Sequence, residues 1–96
     1  MAIAVWFGLE GVTREQYEQV IRGLRDKGME FPQARRYHVA FPTPDGWGVV
    51  DVWDSREAFQ AFGETLVPLT QEAGMGPIDP QIVDVHAEIA GVERRI

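Results

Sequence analysis

No cysteine occurs in these 96 residues, which excludes disulfides, thiolate nucleophiles and cysteine-based metal sites. Positive charge is scarce: 9 Lys and Arg stand against 15 Asp and Glu, for a formal net charge of −6. Apart from Arg35-Arg36 and Arg94-Arg95 the basic residues are scattered. A duplex-binding protein needs a concentrated basic footprint to neutralise phosphates, so nucleic acid is not an expected partner. Long apolar runs are also missing, and nothing approaches the roughly eighteen residues of a membrane span. The amino-terminal MAIAVWFGLEG has no basic segment ahead of its apolar residues and soon meets Glu10. It reads as a strand rather than a signal peptide, and the expected location is cytoplasmic. No nucleophile triad, metal-spaced cluster or glycine-rich phosphate loop is present, and no cofactor or metal is implied.

What the chain does have is an ordinary globular composition, 45% hydrophobic and 25% charged, which predicts a single domain over residues 1–96. A core of that size is marginally stable unless an oligomer adds buried area. The chain is organised around Gly46 to Phe62, GWGVVDVWDSREAFQAF, where a strand pattern runs into a helix start. In a strand, Trp47, Val49, Asp51 and Trp53 share one face and Gly48, Val50 and Val52 the other. Both faces are largely apolar, which predicts helices on one side of the sheet and a partner subunit on the other.

Residues 2–9, AIAVWFGL, predict a buried central strand. Thr13-Arg-Glu-Gln16 is a capping box, and Tyr17, Val20, Ile21 and Leu24 form a helical stripe that ends at Lys27-Gly28, placing helix one near 14–27 with Tyr17 in its core-facing row. Arg36 to Phe41 reads as a second strand. Pro44, Asp45 and Gly46 suit a type I turn closed by a left-handed glycine, which pairs Val39 with Asp51 and Tyr37 with Trp53. A loop one residue different in length would place His38 beside Asp51 instead. Ser55 caps helix two, whose buried stripe is Ala58, Phe59, Phe62, Leu66 and Leu69; Pro68 predicts a kink or restart before the stop at Gly74. Gln81 to Ile89 alternates as a final half-exposed strand, and GVERRI is expected to fray or reach a partner.

Strand, helix, strand, strand, helix, strand is the α+β, ferredoxin-like βαββαβ order: a four-stranded antiparallel sheet with both helices on one face. The open face carries apolar residues from every strand, and its burial in a homodimer is the expected resolution. The segments VVDVWDSREAF, GVTREQYEQV and IVDVHAEI resemble small proteins of the dimeric α/β-barrel superfamily, near the antibiotic-biosynthesis monooxygenase domains. That resemblance implies two sheets paired face to face and a cavity between sheet and helices for a polycyclic phenol, a quinol or haem. It also implies an aromatic at the end of the third strand lining that cavity, a position matched by Trp53. Family enzymes of this kind carry out cofactor-free oxygenation, in which a deprotonated, electron-rich substrate itself reduces dioxygen. With no asparagine in the chain and no histidine in helix two, the Asn-Trp-His set of the haem-degrading members cannot be assembled.

A cofactor-independent oxygenation site needs a base and a dry pocket. Asp51 shares a face with Trp53 and is the candidate base; a salt bridge to an arginine such as Arg36 is the structural alternative. Trp53, Trp47, Phe59 and Phe62 are the candidate lining of a cavity for a small hydrophobic aromatic ligand. His38 and His86 fall on the two edge strands, where joining opposite sheet edges across a dimer would bring them together as a proton shuttle or a metal-ligand set. The competing reading is a non-catalytic dimeric module that binds a ligand or protein partner, with a filled interior. A cavity of roughly 300 Å³ or more beside Trp53 separates the two.

Overall fold

The computed structural model describes residues 1–91. Its elements follow as β1 (Ile3–Glu10), α1 (Arg14–Asp26), β2 (Arg35–Thr43), β3 (Gly46–Trp53), α2 (Arg56–Glu72) and β4 (Gln81–Asp84). The strands form one antiparallel sheet in the order β2-β3-β1-β4, which is the ferredoxin-like arrangement. Each helix starts where a side chain can satisfy the free amides of the first turn. Thr13 and Gln16 close the capping box, with the Gln16 amide donating to Thr13 Oγ1 at 3.1 Å and the Thr13 amide to Gln16 Oε1 at 2.9 Å. Ser55 Oγ accepts from the Ala58 amide at 3.1 Å. After both helices the chain turns at a left-handed glycine, Gly28 (φ 71°) and Gly74 (φ 79°), a conformation that penalises any Cβ.

Ile3, Val5 and Phe7 of β1 and Trp47, Val49 and Trp53 of β3 meet Val20 and Leu24 of α1 and Phe59, Phe62 and Leu69 of α2 in the core. Trp53 lies at its centre, with ring centroids 4.9 Å from Phe62 and 5.8 Å from Phe59. The helices approach closely at Gly23, where a Cβ would stand 2.7 Å from Leu69 Cδ2.

Three features differ from the sequence expectation. The β2–β3 turn has two residues, Pro44 and Asp45, with Thr43 opposite Gly46, so His38 faces Asp51 and Val39 faces Val50. Glycine is required at 46 by contact rather than by φ: Gly46 belongs to the ladder, and a Cβ there would sit on the Leu9 carbonyl oxygen and 2.7 Å from the Gly11 amide nitrogen. Helix α2 runs unbroken through Pro68. The carbonyl deprived of a donor there is that of Glu64, an exposed residue, where water can serve. Finally, β4 ends at Asp84. The chain beyond it crosses the end of the sheet to the far edge strand, where Glu88 Oε1 meets Arg36 Nη1 at 2.6 Å. The expected terminal arm, from Val92 onward, lies outside the described residues.

The other face of the sheet is uncovered. Trp6, Tyr37, Val39 and Val83 are 41%, 51%, 55% and 60% exposed, and Val50, Val52 and Phe41 lie between them. Trp6 stacks on Phe41 with centroids 6.0 Å apart, so this surface is packed within itself while still facing outward.

Two glycine substitutions should separate close approach from simple conformational freedom. Gly46→Ala should lose at least about 2 kcal/mol, because backbone must move. Gly63→Ala, in α2 with nothing within 4 Å of a new Cβ, should gain about 0.5–1 kcal/mol. Urea denaturation of both variants checks the pair.

Candidate functional site

The two-residue turn sets the chemistry, because it places His38 of β2 directly opposite Asp51 of β3 on the helix side of the sheet. Asp51 is 3% exposed. A buried carboxylate is tolerable only when its lone pairs are met, and here two donors meet them. His38 Nδ1 lies 2.6 Å from Asp51 Oδ1, and Trp53 Nε1 donates to Asp51 Oδ2 at 3.2 Å. With Nδ1–H turned to the carboxylate, the remaining nitrogen of a neutral imidazole is an acceptor. Nε2 faces Tyr17 of α1, whose hydroxyl lies 2.6 Å away. The network assigns one direction throughout: Tyr17 O–H to His38 Nε2, His38 Nδ1–H to Asp51. A histidine oriented by a buried acid and presenting its free nitrogen is the arrangement of a general base.

Tyr17 is held by its neighbours as well. Its ring lies parallel to the His38 ring, with a 7° interplanar angle, and 5.4 Å from that of Trp47. Burial, the first cause, raises the Tyr17 hydroxyl above the ordinary phenol range; Glu18 and Asp51 push the same way and Arg35 opposes them. The resting group is therefore a phenol.

A β-bulge at Arg36 shapes the other end of the site. Between Arg35, opposite Trp53, and Tyr37, opposite Val52, one extra residue enters β2. Without it, strict alternation would turn Arg36 toward the helices and Arg35 away. With it, Arg35 shares the helix-side face with His38, while Arg36 is exposed and pairs with Asp54 and Glu88, each at 2.6 Å. Arg35 Nη2 donates to the Glu30 carbonyl at 3.1 Å, and Glu30 is itself held by both ends of the Arg25 guanidinium.

Tyr17, Arg35, His38 and Asp51 line a cavity of about 60 Å³ between α1, α2 and the sheet, walled otherwise by apolar side chains such as Phe7, Val49, Phe62 and Leu66. Thr70 and Met75 also line it, and the same two residues wall a surface groove of about 390 Å³ on the far side.

The expected site residues are thus distributed in three groups. Asp51, His38 and Phe62 come together at the cavity. Trp53, Trp47 and Phe59 stand outside its lining: Trp53 and Phe59 are core, and Trp53 reaches the site only through its bond to Asp51. Trp47 is buried with its Nε1–H unpartnered among the described residues. His86 is exposed beyond the end of β4, so the final strand does not carry it. The partner of Asp51 is His38 and not Arg36, and among the described residues no three metal-binding side chains cluster. Sequence reasoning missed Tyr17 and Arg35. The first sits in a helix stripe that looked like core, and only its position across from His38 distinguishes it; the second is turned inward by a bulge that leaves no mark on alternation.

No protein-family model matches the chain, and no curated protein matches its sequence. Solved structures do. SnoaB, a cofactor-independent oxygenase from Streptomyces nogalater, superposes with a TM-score of 0.62 over 94% of this chain and 96% of its own, at 10% identity. A monooxygenase from the gene ActVA-Orf6 of Streptomyces coelicolor, in complex with the ligand Nanaomycin D, gives 0.58 over 94% and 91%, at 19% identity. A dimeric ferredoxin-like protein of unknown function from Thermobifida fusca gives 0.57 over 88% and 92%, at 18% identity. The chain shares the ferredoxin-like fold of these structures.

The position of Tyr17 has a measurable consequence at high pH. Its folded ionisation lies above the unfolded value near 10, so below about pH 10 its contribution to stability is fully present, and it fades as pH rises through the folded value. Ultraviolet titration of wild type minus Tyr17→Phe should show one phenol ionising above the ordinary range. The denaturation midpoint of wild type should fall more steeply than that of the variant above about pH 10.

Proposed function

We propose that this chain is a small-molecule enzyme whose base is the Asp51–His38 pair, with Tyr17 as the hydroxyl that hands protons between substrate and His38. The observation that carries this reading is the donor-ordered chain Tyr17–His38–Asp51 at a cavity walled mainly by apolar side chains. Such a site suits abstraction of an acidic proton from a hydrophobic aromatic molecule. The fold's likeness to SnoaB and to the ActVA-Orf6 monooxygenase supports cofactor-independent monooxygenation as the reaction that follows. In that chemistry the deprotonated substrate supplies all four electrons that reduce dioxygen, two as the substrate peroxide forms and two as its O–O bond breaks; one oxygen enters the product as a carbonyl and the other leaves as water with two substrate hydrogens.

The free cavity of about 60 Å³ falls short of the roughly 300 Å³ at the lower end for ligand pockets. Met75 and Thr70 line both this cavity and the groove of about 390 Å³. Methionine is unbranched and readily changes rotamer, so a swing of Met75 would join the two spaces and admit an aromatic ligand. The small closed volume and the filled interior around Trp53 favour the second reading, a non-catalytic dimeric binding module. Oxygen uptake with a hydroxylated naphthalene decides between them. The enzyme reading expects turnover that falls about 10²–10⁴-fold in His38→Gln and Asp51→Asn while both variants keep the wild-type circular dichroism. Uptake no faster with wild type than with either variant would leave the module.

We also propose that the open sheet face is covered by a second copy of the chain. A face bearing Trp6, Tyr37, Val39, Val50, Val52 and Val83, with no charged residue among them, is far more apolar than scattered surface residues require. One of the similar structures is itself described as dimeric. Val50→Asp, at the middle of that face, should convert a dimer to a folded monomer in multi-angle light scattering. A wild-type monomer at micromolar concentration would remove the proposal.

A further inference from the structure

We infer that Arg35 marks where the oxyanion sits once the ligand of this cavity has given up its proton. The inference rests on the proton-accepting role given to His38 and Asp51, and adds to it the identity of the group that receives the charge left behind.

Three observations support it. The first is placement. Only the bulge at Arg36 turns Arg35 onto the face that carries His38 and Asp51, and bulges are characteristically used to re-aim a side chain beside a site. The second is partner accounting. Among the described residues Arg25, Arg36 and Arg56 each meet a carboxylate; of the three arginines that do not, Arg14 and Arg22 are exposed to water, whereas Arg35 is half-buried and has only the Glu30 carbonyl, at one nitrogen. A guanidinium has five N–H donors in a planar fork suited to an oxyanion, and this one is half-buried at a cavity whose other walls are mainly apolar. An unpaired cation in such surroundings is unfavourable, and an anion beside it is correspondingly stabilised. The third is that the positive charge reaches the Tyr17 hydroxyl, where Arg35 opposes the larger upward effects of burial and Glu18.

The charges then close in pairs. Around the cavity the ionisable groups are Tyr17, with Glu18 beside it, from α1, Arg35 and His38 from β2, and Asp51 from β3; the cavity-lining residues of β1 and α2 are uncharged. When a ligand O–H bond breaks, its electron pair stays on the ligand oxygen. The proton goes to the Tyr17 oxygen as Tyr17's own proton moves to His38 Nε2. The imidazolium is paired with Asp51, and the ligand oxyanion is left for Arg35. No oxidant or other reactant enters this step.

The test uses 4-nitrophenol, whose phenolate absorbs in the visible, titrated with pH in the presence of excess protein; binding itself is followed through the ring resonances of Tyr17 and His38. With wild type the ionisation midpoint of the bound probe should fall by about one pH unit, a tenfold preference for the anion. Arg35→Gln should bind the neutral probe and return the midpoint to its free-solution value. Because that variant also gives up the bond to Glu30, Arg35→Lys keeps the charge as a second check and should retain a lowered midpoint. If the probe perturbs Tyr17 and His38 but the midpoint is unmoved in wild type, or is equally lowered in Arg35→Gln, the role of Arg35 is overturned while the proton-accepting site stands. A free-solution midpoint in Arg35→Lys also overturns it. If millimolar probe leaves the Tyr17 and His38 resonances unchanged, the cavity is not a phenol site and both readings fall.

Discussion

A carboxylate at the centre of a hydrophobic sheet has to be answered by hydrogen-bond donors, and the inner half of this structure is arranged around the answer given to Asp51. Moving an ionised carboxyl out of water carries a penalty of several kcal/mol unless its oxygens are met. Two donors from different directions meet them: the imidazole of the adjacent strand and the indole two residues along the same strand. Each is then committed. The indole is fixed in the core between Phe59 and Phe62, and the imidazole is fixed in the tautomer that exposes Nε2 toward α1. Tyr17 accepts the consequence by donating to it. A single buried charge therefore ties β3, β2 and α1 into one polar line, while α2 contributes the apolar cover.

That line needs the sheet to be unequal on its two faces. On the helix side the residues opposite one another include His38 and Asp51; on the far side Val39 meets Val50 and Tyr37 meets Val52, with nothing charged between them. A one-residue slip of β2 would exchange the two sets, burying valine where the histidine stands and leaving Asp51 with the Trp53 indole alone. Register is accordingly specified twice, once by the short Pro44-Asp45 turn and once by the pairing of a buried acid with the only strand histidine that can reach it. The bulge then departs from that register for one residue at the strand's start, which is enough to send Arg35 inward and Arg36 outward to Asp54 and Glu88.

Much of the fold was legible because each element carries its own local signal. The capping box at Thr13, the cap at Ser55 and the left-handed glycines at Gly28 and Gly74 all act over three or four residues, and all stand where the sequence placed them. The short apolar run of residues 2–9 likewise placed β1 in the middle of the sheet. The errors concern interactions at longer range. Pro44-Asp45-Gly46 suits more than one turn, and the choice between them is made by β1, whose Leu9 carbonyl leaves no room for anything but glycine in the ladder. Asp51 and His38 were both legible as candidates, yet their meeting depended on that turn. Tyr17 was indistinguishable from Val20 and Leu24 until its neighbour across the helix–sheet gap was known. The last strand alternates well past Asp84, but with only β1 to pair against and β1 beginning at Ile3, the ladder runs out and His86 is left beyond it.

The likeness to known oxygenase structures and the polar line carry different kinds of weight. At 10–19% identity a shared backbone says how strands and helices are laid out, and folds of this kind host unrelated activities. Trp53, the residue that the resemblance implied would line a cavity, is instead committed to the core and acts on the site through one hydrogen bond. The groups that do reach the cavity come from a helix stripe, a strand edge and a bulge, features set by this chain's own register and not by the general fold. What the chain does must therefore be argued from His38, Asp51, Tyr17 and Arg35. A base already ordered by an acid, a phenol already hydrogen-bonded to it and a cation without a carboxylate partner among the described residues make a set that lacks one member, an acidic hydroxyl that would leave its charge beside Arg35.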